Sequence, residues 1–225
     1  MNRFLAIPFL LHALGATANA PDHDRWQFEV LLDDRKIGYH DFIVSEDGGE
    51  VTVSMEAKFN VKLLFVNVFN YSHRNEETWR DNCLASIDAE TVANGRDFVV
   101  RGQAAAEEFQ LQTASAATDL PPCVMTFAYW HPNFLKAEKL LNSQTGDYEE
   151  VSITEAGVEE LLVEGKQVPA IRYSVSGAAA PITLWYAAAD HRWLALESAL
   201  SGGRTLRYKP LSLPEAFAAN AAAGE

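Results

Sequence analysis

Apolar residues recur at every second position through much of this chain, in short runs that end on turn residues. Trp26, Phe28, Val30 and Leu32 alternate with polar neighbours, the period of a strand that buries one face. Asp33-Asp34-Arg35-Lys36 turns the chain, and Ile37 to Ser45 follows with aromatic and β-branched content. Glu46-Asp47-Gly48-Gly49 turns it again before Val51, Val53 and Met55 resume the alternation. Leu84 to Glu90 and Phe98 to Gly102 flank Asn94-Gly95, a pair that favours a tight hairpin. Phe109 to Thr113 adds a short strand, whereas Tyr71 to Arg80 reads as a polar stretch ending on Trp79.

A second β run follows: Tyr148 to Thr154, Glu160 to Val163, Val168 to Ser176, Ile182 to Ala187, Trp193 to Ala199 and Thr205 to Lys209. Turn residues separate these segments at Glu164-Gly165, at Gly177 to Pro181, at Ala189 to Arg192 and at Ser201-Gly202-Gly203. Between the two runs, Phe134, Ala137, Leu140 and Leu141 stand at helical spacing, and Asn142 to Gly146 closes the segment. The expectation is a mainly β protein: an antiparallel meander curled into an open barrel or sandwich, with one short α-helix near 133–142.

The N-terminus predicts export. Arg3 supplies charge, Phe4 to Leu14 an apolar run, and Ala16-Thr17-Ala18 a small-residue cleavage site, which is the order of a secretory signal peptide. Pro21 disfavours the competing cut after Ala20, and the run is well short of the ~20 residues of a spanning helix. A signal peptide at 1–18, one β-rich domain at 19–210 and an Ala-rich tail at 211–225 follow, with no transmembrane segment in the mature chain and a periplasmic or secreted location. The 18 Lys and Arg against 31 Asp and Glu give a net charge of −13. Such a surface repels phosphate backbones, so nucleic acid is excluded as a general partner. No oligomeric state is read from the sequence.

Cys83 and Cys123 are the two cysteines. In an oxidising compartment an even pair favours a disulfide. A redox or metal role would call for a CxxC spacing or a nearby His cluster, and neither is present.

No nucleophile elbow, P-loop, dinucleotide fingerprint or zincin helix occurs, so no catalytic residue and no cofactor is assigned. The candidate ligand-binding residues come from two segments. Asn60 to Tyr71 is apolar on both phases, through Leu63, Phe65 and Phe69 on one side and Leu64, Val66 and Val68 on the other. That pattern fits either a strand buried on both faces or the wall of an apolar hollow. Tyr71, His73 and Arg74 adjoin it, either as a solvated strand face or as a cationic mouth for an acidic headgroup. The second segment, Phe127 to Pro132, sets Tyr129, Trp130 and His131 together as a core plug or a polar-tipped pocket wall. Scattered single histidines make a metal site a matter of tertiary coincidence.

Gly165, Val168, Pro169-Ala170, Tyr173, Leu184-Trp185-Tyr186, Trp193, Leu196, Gly203-Arg204 and Tyr208 resemble the pattern of a group of uncharacterised exported bacterial β-rich proteins. Phe28 to Tyr39 and Thr126 to Pro132 are similar to the same group. More distantly the layout resembles the half-barrels of periplasmic lipoprotein carriers, which implies a curved sheet around a helix with an apolar hollow.

The leading functional expectation is a periplasmic binding or carrier protein for an apolar, lipid-like small molecule. An enzyme on a lipid-like substrate, with His131 or His73 as proton acceptor, is the alternative from a different class. A non-catalytic subunit of an envelope complex is the third reading.

Overall fold

Five two-residue turns set the sheet. At Asp33-Asp34, Gly48-Gly49, Asp81-Asn82, Asn94-Gly95 and Glu164-Gly165 both residues have positive φ. That is the turn whose twist matches a right-twisted hairpin. At Gly95, with φ 76°, the absence of a Cβ removes the steric cost of that conformation.

The computed structural model describes residues 23–63 and 66–214, with the side chains of 24–61 and 69–214. The expected signal peptide, the tail beyond Pro214, Phe65 and the side chain of Leu63 lie outside the described residues. The first run of strands is β1 (His23–Leu32), β2 (Arg35–Asp47), β3 (Glu50–Leu63), β4 (Val66–Arg80), β5 (Cys83–Ala93), β6 (Arg96–Ala104), β7 (Phe109–Thr113) and β8 (Ala117–Leu120). The intervening segment carries a 3-10 turn at Pro132–Lys136, then β9 (Lys139–Leu141) and β10 (Tyr148–Glu150). The second run is β11 (Ser152–Val163), β12 (Lys166–Ser176), β13 (Ile182–Ala187), β14 (Trp193–Leu200) and β15 (Arg204–Ser212).

All strands but β9 and β10 join one 13-stranded sheet, ordered β11-β12-β13-β14-β15-β1-β2-β3-β4-β5-β6-β7-β8. Every pairing is antiparallel, and β15 closes onto β1, so the two runs meet at the start of the first. The sheet stays open, with β11 and β8 at its edges. A sheet this wide accumulates twist and curls, and its concave side holds the core.

The alternation places that core. Trp26, Phe28 and Val30 from β1, Phe42 and Val44 from β2, and Val53 and Met55 from β3 are all buried. From the other run come Leu184, Tyr186, Trp193, Leu196 and Tyr208. Phe28 and Trp193 stand 4.5 Å apart between ring centres, and the Trp26 indole donates to the Trp193 carbonyl at 3.1 Å. The segment 123–151 fills the hollow as a plug. Its Val124, Ala128, Trp130, Phe134, Leu140 and Leu141 share the same core, and Cys83–Cys123 ties it to β5 across a Cα separation of 4.5 Å.

The expected α-helix near 133–142 is absent. The 3-10 turn ends at Ala137, which is extended (φ −74°, ψ 136°), and Leu140 and Leu141 pair with Glu149 and Tyr148. A helix of that length nucleates poorly on its own. Extended backbone instead gives Leu141 N–H the carbonyl of Met125 at 2.8 Å, while both leucines stay fully buried.

Two further boundaries differ from the pattern. Tyr71 to Arg80 is the C-terminal two thirds of β4, the longest strand among the described residues. Residues 155–159, left between two strand segments by the sequence pattern, are themselves strand: β11 runs through them with a bulge at Glu155/Val158, where Gly157 takes φ 106°.

Candidate functional site

On the concave side, Thr91, His73, Ala57, His40 and Phe28 form one row across β5, β4, β3, β2 and β1. Two strand spacings, roughly 10 Å, separate the backbones of the two histidines. Ala57 offers only a methyl group between them. Along β4, Tyr71, His73, Asn75, Glu77 and Trp79 share this inner face, and all but the half-buried Tyr71 are buried.

Part of this inner face walls a cleft of about 220 Å³. His40 and Phe42 of β2, Met55 of β3, Tyr71, His73 and Glu77 of β4, and Tyr208 of β15 form the sheet wall. Thr126, Phe127 and Tyr129 from the plug form the opposite wall. Asn142 to Gln144 and Ala178 to Ala180, from the β9–β10 and β12–β13 connections, stand at the cleft with Glu149.

The polar groups of the sheet wall are neutral or nearly so. His40 Nδ1 lies 3.0 Å from the Tyr208 hydroxyl, its ring stacks on Phe42 at 4.2 Å, and its Nε2 is sealed from solvent without a hydrogen-bond partner. Burial, and then His73 nearby, pushes the His40 imidazole down to about 3. His73 Nδ1 lies 2.7 Å from the Thr91 hydroxyl, and its Nε2 is 3.5 Å from Ser143 Oγ. Burial pushes His73 down to about 4. Both imidazoles are uncharged at neutral pH.

Glu77 is the exception. Asn75 Nδ2 at 2.9 Å, the Trp79 indole N–H at 3.0 Å and Thr126 Oγ1 at 3.4 Å all donate to its carboxylate. Each favours the charged form, yet burial outweighs them and raises the carboxyl to about 7. The Tyr71, Tyr129 and Tyr208 phenols are held above their usual range by burial, and Tyr129 also by Glu149 and Tyr71.

From the cleft an aromatic ladder climbs the β3–β4 hairpin. Tyr71 lies 6.2 Å from His73, Phe59 stacks on Tyr71 at 5.0 Å and 10°, and Phe69 lies 6.3 Å beyond Tyr71 at 8°. All three carbocyclic rings are half-buried.

Tyr71, His73 and Tyr129 therefore meet in the cleft, with Phe69 on the ladder above it. Arg74 is exposed on the other face of β4, opposite Glu56, because consecutive strand residues point to opposite sides. Trp130 packs edge-on against Trp79 at 5.7 Å, outside the cleft lining. His131 caps the 3-10 turn, its Nδ1 accepting from Asn133 N–H at 3.1 Å, and burial pushes it down to about 4. It is held as a structural cap.

Sequence reasoning missed His40, Glu77 and Tyr208. A signal existed for the first two: His40 is in phase with Phe42 and Val44, and Glu77 with His73 and Trp79. Among the described residues no group of three His, Cys, Asp or Glu is placed to hold a metal. No helix there is long and apolar enough to cross a membrane.

No curated protein matches the chain. Among solved structures, the crystal structure of a beta-barrel-like protein of domain of unknown function DUF1849 from Brucella abortus is similar at a TM-score of 0.63 and 11% identity. The match covers 85% of this chain and 97% of that one. At this identity the likeness concerns the fold, and it agrees with the expected kinship to uncharacterised β-rich proteins. The model of DUF6134, a domain of unknown function, matches residues 28–211. That span runs from Phe28 of β1 to Leu211 near the end of β15, and the chain belongs to the DUF6134 family.

Proposed function

We propose that the protein is an exported binding or carrier protein for a lipid-like amphiphile, whose head enters the cleft while its apolar body lies along the Tyr71–Phe59–Phe69 ladder. The observation that carries this reading is the continuity of the cleft with that ladder. Polar groups converge at one end, and half-buried rings continue the path outward. The volume sets the division of labour. About 220 Å³ corresponds to roughly seven waters and falls below the ~300 Å³ of sites that enclose a drug-sized ligand. A long chain would therefore be held by one end. Imidazoles held far below neutral pH are weak proton acceptors, which favours binding over catalysis.

Competition with a neutral dye such as Nile red tests the reading. Twelve-carbon amphiphiles with ammonium, hydroxyl and carboxylate heads serve as competitors. At least one should displace the dye at one equivalent. Ser143→Trp and Ala178→Trp, two half-buried positions at the cleft, should each weaken that competitor at least tenfold while the fold is retained. Failure of all three competitors would overturn the proposal.

A further inference from the structure

The electrostatics of this cleft contradict the acidic headgroup that His73 and Arg74 suggested. Among the described residues no lysine or arginine lines it, whereas Glu77 and Glu149 do. Arg74 faces the other way, and both cleft imidazoles are neutral.

A carboxylate or phosphate entering here would be buried beside Glu77 without a counter-ion. Burying unpaired charge is among the most unfavourable steps a site can impose. A neutral alcohol would form hydrogen bonds but would leave Glu77 as it is. A cation changes the balance. It supplies the opposite charge that Glu77 lacks, and it enters a lining that holds Tyr71, Tyr129 and Tyr208, with Phe42 beside His40. Aromatic rings around a carboxylate are the arrangement that recognises alkylated ammonium groups.

We propose that the cleft selects a cationic head, an alkylammonium or quaternary ammonium group, with Glu77 as its counter-ion and Glu149 as a second, outer carboxylate. This assignment rests on the amphiphile-binding reading and narrows it to one headgroup class. Glu77 is buried where Glu149 is half-buried, so the inner carboxylate is the less screened partner.

The proposal also sets a pH dependence. His40 and His73 are neutral down to about 3 and 4, and the Tyr71, Tyr129 and Tyr208 phenols titrate above their usual range. Glu149 belongs to the more solvated mouth. Glu77, at about 7, is the cleft group that changes charge between pH 6 and 8. A quaternary ammonium does not titrate, so its affinity should rise about tenfold between those pH values as Glu77 ionises.

The full-length mature chain in 150 mM salt, with the dye displaced by dodecyltrimethylammonium, dodecanol or dodecanoate below their micelle concentrations, provides the test. The expected order at pH 8 is the quaternary ammonium at least tenfold tighter than dodecanoate. Glu77→Gln should abolish the rise with pH and weaken the cation at least tenfold, with dodecanol changed less than twofold. If Glu77→Gln fails to fold, the pH profile of the wild type and Glu149→Gln, expected to weaken the cation severalfold, carry the test. Dodecanoate binding as tightly as the cation, or a flat pH profile in the wild type, would overturn the headgroup assignment and leave the cleft as a binding site. Absence of displacement by all three would overturn the binding reading itself.

Discussion

His40 of β2 and Tyr208 of β15 meet at 3.0 Å although 168 residues separate them. The contact is possible because β15 returns to pair with β1. It thus joins the first and second strand runs inside the cleft wall. Tyr208→Phe leaves His40 with both ring nitrogens unsatisfied. The loss of such a buried hydrogen bond costs about 1–3 kcal/mol. At ~2–4 °C per kcal/mol for a domain of this size, the thermal midpoint should fall by roughly 2–12 °C. An unchanged midpoint would show that the phenol does not hold His40.

Acid should destabilise the fold. His40, His73 and His131 are pushed from 6.5 to about 3, 4 and 4, so the folded chain binds fewer protons than the unfolded chain between those values and 6.5. Their stabilising contribution is complete above pH 6.5 and is lost as pH falls toward 4. Glu77 has the opposite sign. Its carboxyl is raised from 4.5 to about 7, so its contribution is complete below 4.5 and is lost as pH rises through 7. Three histidines outweigh one glutamate between pH 4.5 and 6.5. Thermal melts across that range should show the midpoint falling on acidification, by ten degrees or more on the order-of-magnitude scale of ~1.4 kcal/mol per pKa unit. A midpoint that rises on acidification would contradict the neutral-imidazole assignment.

Cys83–Cys123 closes a loop of 40 residues between β5 and the plug. The chain-entropy relation assigns such a link ~3–4 kcal/mol. Reduction, or Cys83→Ala with Cys123→Ala, should lower the midpoint by roughly 10 °C. Two reactive thiols in unreduced, denatured protein would remove the premise.

Export is tested on the intact gene product in a bacterial host. The charge, apolar run and Ala16-Thr17-Ala18 site predict a periplasmic chain beginning at Asn19. Soluble mature material that retains Met1 would contradict it.

The sheet was legible because its turns carry chemical signatures: Asp-Asp, Gly-Gly, Asn-Gly and Glu-Gly mark four of the five hairpins, and apolar alternation marks the strands between them. The plug was misread because Phe134, Ala137, Leu140 and Leu141 suit helical spacing, while what decides their conformation is pairing with residues 125, 148 and 149. Asn75 and Glu77 hid β4 for a related reason. Buried polar residues in an inner row look the same in sequence as a solvated face. Candidates His73, Tyr71 and Tyr129 converge in the structure, whereas Arg74 shows how one step along a strand reverses a side chain. Tyr208 was out of reach, since its partnership with His40 depends on which strand closes onto β1.

The central claim is that an amphiphile's head enters the cleft between His40, His73 and Tyr129. Imidazole ¹⁵N spectra of the full mature chain, titrated with dodecyltrimethylammonium, read this most directly. The account predicts that the His40 and His73 resonances move and saturate at one equivalent, while the exposed His191 stays in place and Ala178→Trp abolishes the response. Saturable dye displacement with His40 and His73 unmoved would place the ligand elsewhere and contradict the account.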